Sequence, residues 1–337
     1  MADRYEVDVL TGSETEEWDR FVRGTPQFTP FATAAWQRIA AESLGNKEWR
    51  LFGCRKNGNL VAGCGGFALR KLGMDLVLPP LLTGYPGFYV TVPEASRRCA
   101  VTDEILRSVA ALEEGVRKAC AVAWFVHHPS LPDLRPFPWN GWETIPRYTF
   151  RMEIGPPDEM QGDFRHNLRK QIGKAEKEGV VVKRAERIDD VARMWAASYG
   201  RHDEPPPLPP ETLAAWFRGL AAEGIARAYV AEGADGKVHA FRAVVLGEGD
   251  AYDWVAGSDP DLVSQGATPY LVWRILADLR GEFTSFDMMG ANTPTIAAFK
   301  AGFGGALVPY METRWYRSPA ARGMMEGKKA LGKIFGR

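Results

Sequence analysis

Apolar and polar positions alternate over residues 5–10, shift to a helical period around Trp18 and Phe21 and again over 32–44, then return to alternation over 49–69. Gly45 follows the second helical run, where a C-cap glycine belongs. Asn57-Gly58 divides the 49–69 run, and Asn-Gly between alternating apolar segments predicts a β-hairpin. A proline- and glycine-rich stretch, 78–87, leads into a long helical pattern over 103–119, a hydrophobic strand at 121–126 and a proline-rich crossing to Pro146. The second half repeats this plan. Strands are predicted at 147–154 and 180–184 around a charged helix at 164–179. Helices at 189–199 and 210–223 then flank a proline-rich loop. A hairpin over 226–246 turns at Asp235-Gly236. It is followed by a strand at 251–256, a helix at 268–279, a strand at 284–289, a short helix at 295–300 and a strand at 307–316.

The two hairpins share glycine, an aliphatic residue and alanine at matching offsets, Gly58-Asn59-Leu60-Val61-Ala62 against Gly236-Lys237-Val238-His239-Ala240. A tryptophan-bearing helix lies upstream of each. The expected class is α+β, with two tandem domains of mixed, mainly antiparallel sheet and helices on both faces. The boundaries predicted are 1–150, 151–317 and a basic C-terminal tail over 318–337.

Composition sharpens this only slightly. The 337 residues suffice for two domains, and 45% hydrophobic with 25% charged residues is ordinary globular usage. With 42 basic and 42 acidic residues there is no bulk polyanion signal, so nucleic-acid contact would have to come from a local patch. Cys54, Cys64, Cys99 and Cys120 lack metal or redox spacing and are expected to be reduced, largely buried thiols of a cytoplasmic protein. Neither a secretory leader nor an apolar run long enough to span a membrane is read, and no metal site is expected; His127-His128 before Pro129 reads as loop.

The stretch from Tyr252 to Tyr310 carries a family resemblance. It holds Tyr252-Asp253-Trp254-Val255-Ala256-Gly257-Ser258, then Tyr270-Leu271-Val272-Trp273, Phe286-Asp287-Met288-Met289-Gly290, Pro294, Phe299-Lys300, Gly302-Phe303-Gly304-Gly305 and Val308-Pro309-Tyr310. This order resembles the C-terminal signature of FemABX-type aminoacyltransferases. The basic segment 165–179 is similar to the helix that opens the second domain in that family, and Phe31 and Trp36 match its Phe-x-x-x-x-Trp element. No segment corresponds to the helical hairpin inserted in FemA-like members, and 78–85 looks more like methicillin-resistance-like GNAT relatives.

The resemblance implies tandem GNAT domains and N-acyl transfer, with a set of expected site residues. Lys300 is expected to stabilise an oxyanion or phosphate, and Asp287 to take a proton, orient the amine or merely cap a turn. Tyr252 completes the catalytic set. Backbone N–H groups at 253–256 are expected to polarise the donor carbonyl, with Gly257 allowing close approach to a ligand. Substrate contacts are expected from Arg201, Arg38, Phe299, Tyr310 and Trp254, and tRNA phosphate contacts from Arg165, Arg169, Lys170 and Lys174. No tightly bound cofactor is expected. The donor is either aminoacyl-tRNA or acyl-CoA. The usual CoA-pyrophosphate loop, Arg/Gln-x-x-Gly-x-Gly/Ala, is broken at Val263 and Thr268 around Gly266, which favours tRNA. The acceptor is read as a small-molecule or lipid-linked amine of a cell-wall or natural-product precursor. A catalytically silent binding protein on the same fold is the reading from another class. Met324, Leu331 and Phe335 fall on one stripe of the basic tail, which either lies on an anionic membrane, frays into solvent or docks on its own domain.

Overall fold

In each half a long helix buries an apolar stripe against a sheet whose central strands are buried along continuous runs, and the order of these elements is the same in the two halves. The computed structural model describes residues 4–95, 97–200, 205–259, 261–262 and 266–327. In chain order the elements are β1 (Tyr5–Leu10), α1 (Thr15–Arg23), α2 (Ala34–Ser43), β2 (Trp49–Lys56), β3 (Asn59–Lys71), β4 (Met74–Leu78), β5 (Phe88–Val90), α3 (Arg98–Ala119), β6 (Val122–Val126), α4 (Pro136–Trp139) and β7 (Glu143–Glu153). Then follow α5 (Pro157–Asp163), α6 (His166–Lys177), β8 (Val181–Arg184), α7 (Ile188–Gly200), α8 (Pro210–Ala222), β9 (Ala226–Glu232), β10 (Val238–Leu246), β11 (Asp250–Ser258), α9 (Ala267–Leu279), β12 (Ser285–Asp287), α10 (Pro294–Ala301), β13 (Ala306–Tyr316) and α11 (Pro319–Glu326). The described residues form two compact units, one within 4–147 and 309–327 and the other within 148–308.

In the first unit, β1, β2, β3 and β4 pair antiparallel in sequence order, β4 runs parallel to β6, and β6 pairs antiparallel with β13. The long helix α3 spaces Ile105, Val109, Leu112 and Val116 three or four residues apart, and all four are buried in the core with Phe52, Phe88 and Phe125. The second unit repeats the pattern. β8, β9, β10 and β11 pair antiparallel, β11 runs parallel to β12, and β12 pairs antiparallel with β7. Here α9 buries Leu271, Val272, Ile275, Leu276 and Leu279, and α6 adds Leu168 and Ile172.

Two boundaries differ from the sequence reading. The sequence pattern places the strand at 307–316 in the second domain, but residues 312–316 pair with β6, so from Pro309 the chain belongs to the first unit. The tail is also partly core: α11 buries Ala321 and Met325 against Leu76, Leu78 and Val122, with Met324 packed beside them. Met324 is therefore not free to face lipid, while Leu331 and Phe335 lie outside the described residues. Among the described residues no helix is long and apolar enough to cross a membrane. Cys54, Cys64 and Cys120 are buried, and burial pushes the Cys54 thiol up to about 12 and Cys120 to about 11; Cys99, expected inside, is exposed.

Candidate active site

The second unit has an opening where its parallel strands part. β11 and β12 are in register at Asp250–Ser285, Ala251–Phe286 and Tyr252–Asp287. Beyond that, β11 continues along β10 as far as Ser258, whereas the chain after β12 follows β7, with Met288 N–H donating to Phe150 O (2.9 Å) and Ala291 N–H to Tyr148 O (2.7 Å). Among the described residues one edge of β11 thus has no strand paired with it from Asp253 onward, and alternate backbone groups along that edge face the gap. At the point of parting, Val255 opposes Ala243 and Asp253 opposes Val244, so Trp254 is the extra residue of a β-bulge. Its ring stacks edge-on against Trp216 of α8, at 5.7 Å between centroids.

A cleft of about 740 Å³ fills the gap. Its walls are residues 253–258 of β11, Arg242 of β10, Met289 and Gly290 after β12, Thr295, Ile296, Phe299 and Lys300 of α10, Ser198 of α7 and Thr268 of α9. Lys300 is half-buried, and its ammonium donates to the carbonyls of Met288, Met289 and Gly290. Those carbonyls belong to a tight turn in which Met289 takes φ +52° and Gly290 φ +31°. Burial depresses the Lys300 pKa, Asp253 and Asp287 oppose the shift, and Arg242 adds to it. With its protons given to carbonyls, Lys300 holds the turn that walls the cleft.

Arg242 and Asp253 form a second feature. Both are buried, at 5% and 7% exposure, and Arg242 Nη1 donates to Asp253 Oδ2. Sequence reading passed over this pair, although a lone arginine in the apolar run Phe241-Arg242-Ala243-Val244-Val245 was a usable signal.

Of the residues singled out from sequence, the cleft gathers Lys300, Phe299, Trp254 and the 253–256 backbone. Asp287 is fully buried behind the wall, where its Oδ1 accepts from Thr149 Oγ1 (2.6 Å) and Met289 N–H (2.8 Å); it caps the turn, and its charge reaches Lys300. Tyr252 lies in the paired part of β11, 1% exposed, and does not line the cleft. Gly257 does line the cleft, but packing also requires a glycine there: a Cβ would sit 2.5 Å from the Phe241 ring. Tyr310 is in the first unit against Tyr85, and Arg38 is exposed on α2 beside Glu42 at 3.5 Å. Phe31 and Trp36 of that unit are a buried edge-to-face pair, a packing motif. Arg201 lies outside the described residues. His127, read as loop, is buried; it accepts from Phe88 N–H at Nδ1 and pairs through Nε2 with Thr313 Oγ1 at 2.8 Å.

Arg165, Arg169, Lys170 and Lys174 are exposed along α6, where Arg169, Lys170, Lys174 and Lys177 line a shallow groove of about 650 Å³. The helix is tied to the cleft wall, because Arg165 N–H donates to Gly302 O (2.8 Å) and its guanidinium to Ala298 O (3.3 Å) beside α10. On its other side Gly266, which opens α9 at φ +73°, packs so tightly on Gln171 that a Cβ would lie 2.4 Å from that carbonyl.

Residues 162–301 match the family model of the acetyltransferase (GNAT) domain, and the match lies wholly in the unit that holds the cleft. No curated protein matches the chain in sequence. Among solved structures the fold is similar to that of FemX, at 12% identity and a TM-score of 0.67, covering 95% of this chain and 100% of that one. It is similar to the C-terminal domain of a putative lysylphosphatidylglycerol synthetase from Agrobacterium fabrum (16% identity, TM-score 0.55, 94% and 96% covered). A tandem GNAT protein from the clavulanic acid biosynthesis pathway shares it as well (12% identity, TM-score 0.51, 94% and 99% covered). The chain has a FemX-like tandem GNAT fold, and its second unit carries a GNAT acyltransferase domain: it is an acyltransferase.

Proposed function

We propose that this protein is an N-acyltransferase that moves an aminoacyl group from aminoacyl-tRNA to an amine of a cell-wall or natural-product precursor. The observation that carries the reading is the cleft at the parted strands joined, through α10, to the basic face of α6. Acyl transfer needs donors for the oxygen of the tetrahedral intermediate, and the backbone of β11 beyond the end of its pairing with β12 is placed to present N–H groups to the cleft. Trp254 and Phe299 offer apolar walls for the acyl group, and Lys300 keeps the opposite wall in place. The amine attacks the ester carbon, the C–N bond forms, the bond to the ribose oxygen breaks, and the amine's proton ends on the released hydroxyl. A tRNA acceptor arm lying along α6 would meet Arg169, Lys170, Lys174 and Lys177 with its phosphates.

An acyl-CoA donor is the second reading. The family match favours it, as does α9 beginning at Gly266 with Thr268 on the cleft wall, where helix N–H groups suit a pyrophosphate. Parallel assays with charged tRNA and with acyl-CoAs, each given a panel of primary amines and read as amide product by mass spectrometry, separate the two. Amide formed from aminoacyl-tRNA is the expected result. Product from acyl-CoA alone moves the protein to the second reading, and product from neither removes both.

A further inference from the structure

We infer that Asp253, held by Arg242, is the residue that receives the acceptor's amine, and that it takes the amine in its neutral form. The inference rests on the acyl-transfer reading of this cleft and names a residue for its nucleophile. Arg242 and Asp253 are more than nine-tenths buried at the cleft wall, yet among the described residues their ion pair leaves Asp253 Oδ1 and Arg242 Nε without a hydrogen-bond partner. A buried charged pair is tolerated when its remaining lone pairs and protons are satisfied. The buried, unsatisfied acceptor of Asp253 therefore lacks one N–H, and it belongs to a residue of the cleft wall at the bulge where β11 leaves β12, beside the backbone edge to which the proposed reaction assigns the acyl carbonyl.

The charges around Asp253 select which form of the amine fits. β10 contributes Arg242, α10 contributes Lys300 and β12 contributes Asp287, while α7 and α9 offer only the uncharged Ser198 and Thr268 among the described residues. Two cations and two carboxylates balance. An ammonium ion would add a third positive charge beside Arg242 and Lys300, whereas a free amine adds none. A free amine donates one N–H to Oδ1 and keeps its lone pair for the acyl carbon. In the transfer step that lone pair forms the C–N bond, the bond to the leaving oxygen or sulfur breaks, and the nitrogen's proton passes to the leaving group.

The test uses the full chain and no donor, so it is separate from the question of turnover. Fluorine NMR measures binding of 2,2,2-trifluoroethylamine, a weak base that is uncharged at about pH 7.5, and competition by ethylamine, which is protonated there. Wild-type protein should bind the fluorinated amine at least about tenfold more tightly than ethylamine. Asp253→Asn should lose that binding by a similar factor. Because Asp253→Asn leaves Arg242 buried without its counter-ion, the double variant Arg242→Gln/Asp253→Asn, a neutral pair of similar size, is measured beside it and should lose the same affinity. With whichever donor supports transfer, Asp253→Asn should raise KM for the amine about tenfold and leave KM for the donor within about twofold. Equal binding by wild type and both variants, a preference for ethylammonium, or no binding by the wild type would each overturn the assignment. Binding through Asp253 in a protein that transfers from neither donor would instead leave the assignment standing and sink the proposed reaction.

Discussion

Lys300 was legible from sequence as a site residue, but the kind of work it does was not. Its ammonium is spent on the carbonyls of Met288, Met289 and Gly290, which places it as a positioning residue for the cleft wall. Replacing it by methionine removes a charged donor from the carbonyls of buried Met288 and half-buried Met289 and Gly290, a loss of roughly 2 kcal/mol. We expect Lys300→Met to lower kcat at least about 100-fold with donor KM little changed, while the protein still folds. Unchanged turnover would take Lys300 out of the machinery. His127 makes a different prediction. Burial holds its pKa at about 3, against 6.5 for an unperturbed imidazole. Below pH 6.5 the unfolded chain takes up a proton that the folded protein refuses until about pH 3, so stability is full above 6.5 and falls through that window. Between about pH 6.5 and 4 the wild type should lose up to roughly 3 kcal/mol more than His127→Gln, as read from urea melts across pH. Parallel pH profiles would show that His127 does not set the acid limb.

At the scale of elements, periodicity carried the helices well. α3 and α9 are long, with apolar stripes that no other period explains, and both lie close to the predicted ranges. What failed were short pieces broken by proline. The strand formed by β4 and β5 was hidden because residues 79–87, with Pro79, Pro80 and Pro86, leave the sheet between its two parts. The bulge at Trp254 was equally invisible, since a one-residue register shift is set by pairing across strands and leaves no mark in either strand alone. α6 was found, and its role can be tested as a unit. If the donor is tRNA, reversing charge at Arg169, Lys170 and Lys174 should weaken donor binding and lower the slope of log affinity against log salt by roughly one per lost contact. A slope unmoved by all three would favour acyl-CoA. The seat of α9 on α6 depends on Gly266, where an alanine would be left-handed and would also press on the Gln171 carbonyl. Gly266→Ala should cost about 2 kcal/mol or more, seen as a melting point several degrees lower; an unchanged melt would show that the junction yields.

The whole chain is one plan used twice, and the two uses diverge where the chemistry is proposed. β4 parts from β6 in the first unit as β11 parts from β12 in the second. In the first unit, however, the chain fills its own gap: Val126 N–H donates to Pro86 O (3.3 Å) and Phe88 N–H to His127 Nδ1 (3.2 Å), in a segment where Leu82 and Tyr85 adopt φ of 53° and 50°. Among the described residues the second unit has the single bulge residue Trp254 at that place, and the gap is lined as the cleft. Each sheet also finishes on a strand distant from it in sequence. β6 is closed by β13, and β12 by β7, which precedes α5 and most of the second unit. Sequence could not show this, because adjacency along the chain says nothing about a partner some 190 residues away, as Val126 and Glu312 are. It follows that the first unit cannot be cut out as a contiguous segment. A fragment of residues 1–147 lacks the strand that covers β6 and the helix α11 that shields Leu76, Leu78 and Val122. We expect that fragment to show no cooperative melt by circular dichroism, because it leaves an unpaired edge and open core together. Joining residues 306–327 to its end through a flexible linker should restore a single cooperative transition. A fragment 1–147 that melts cooperatively on its own would show that the closing strand is dispensable, and that the two repeats are separable after all.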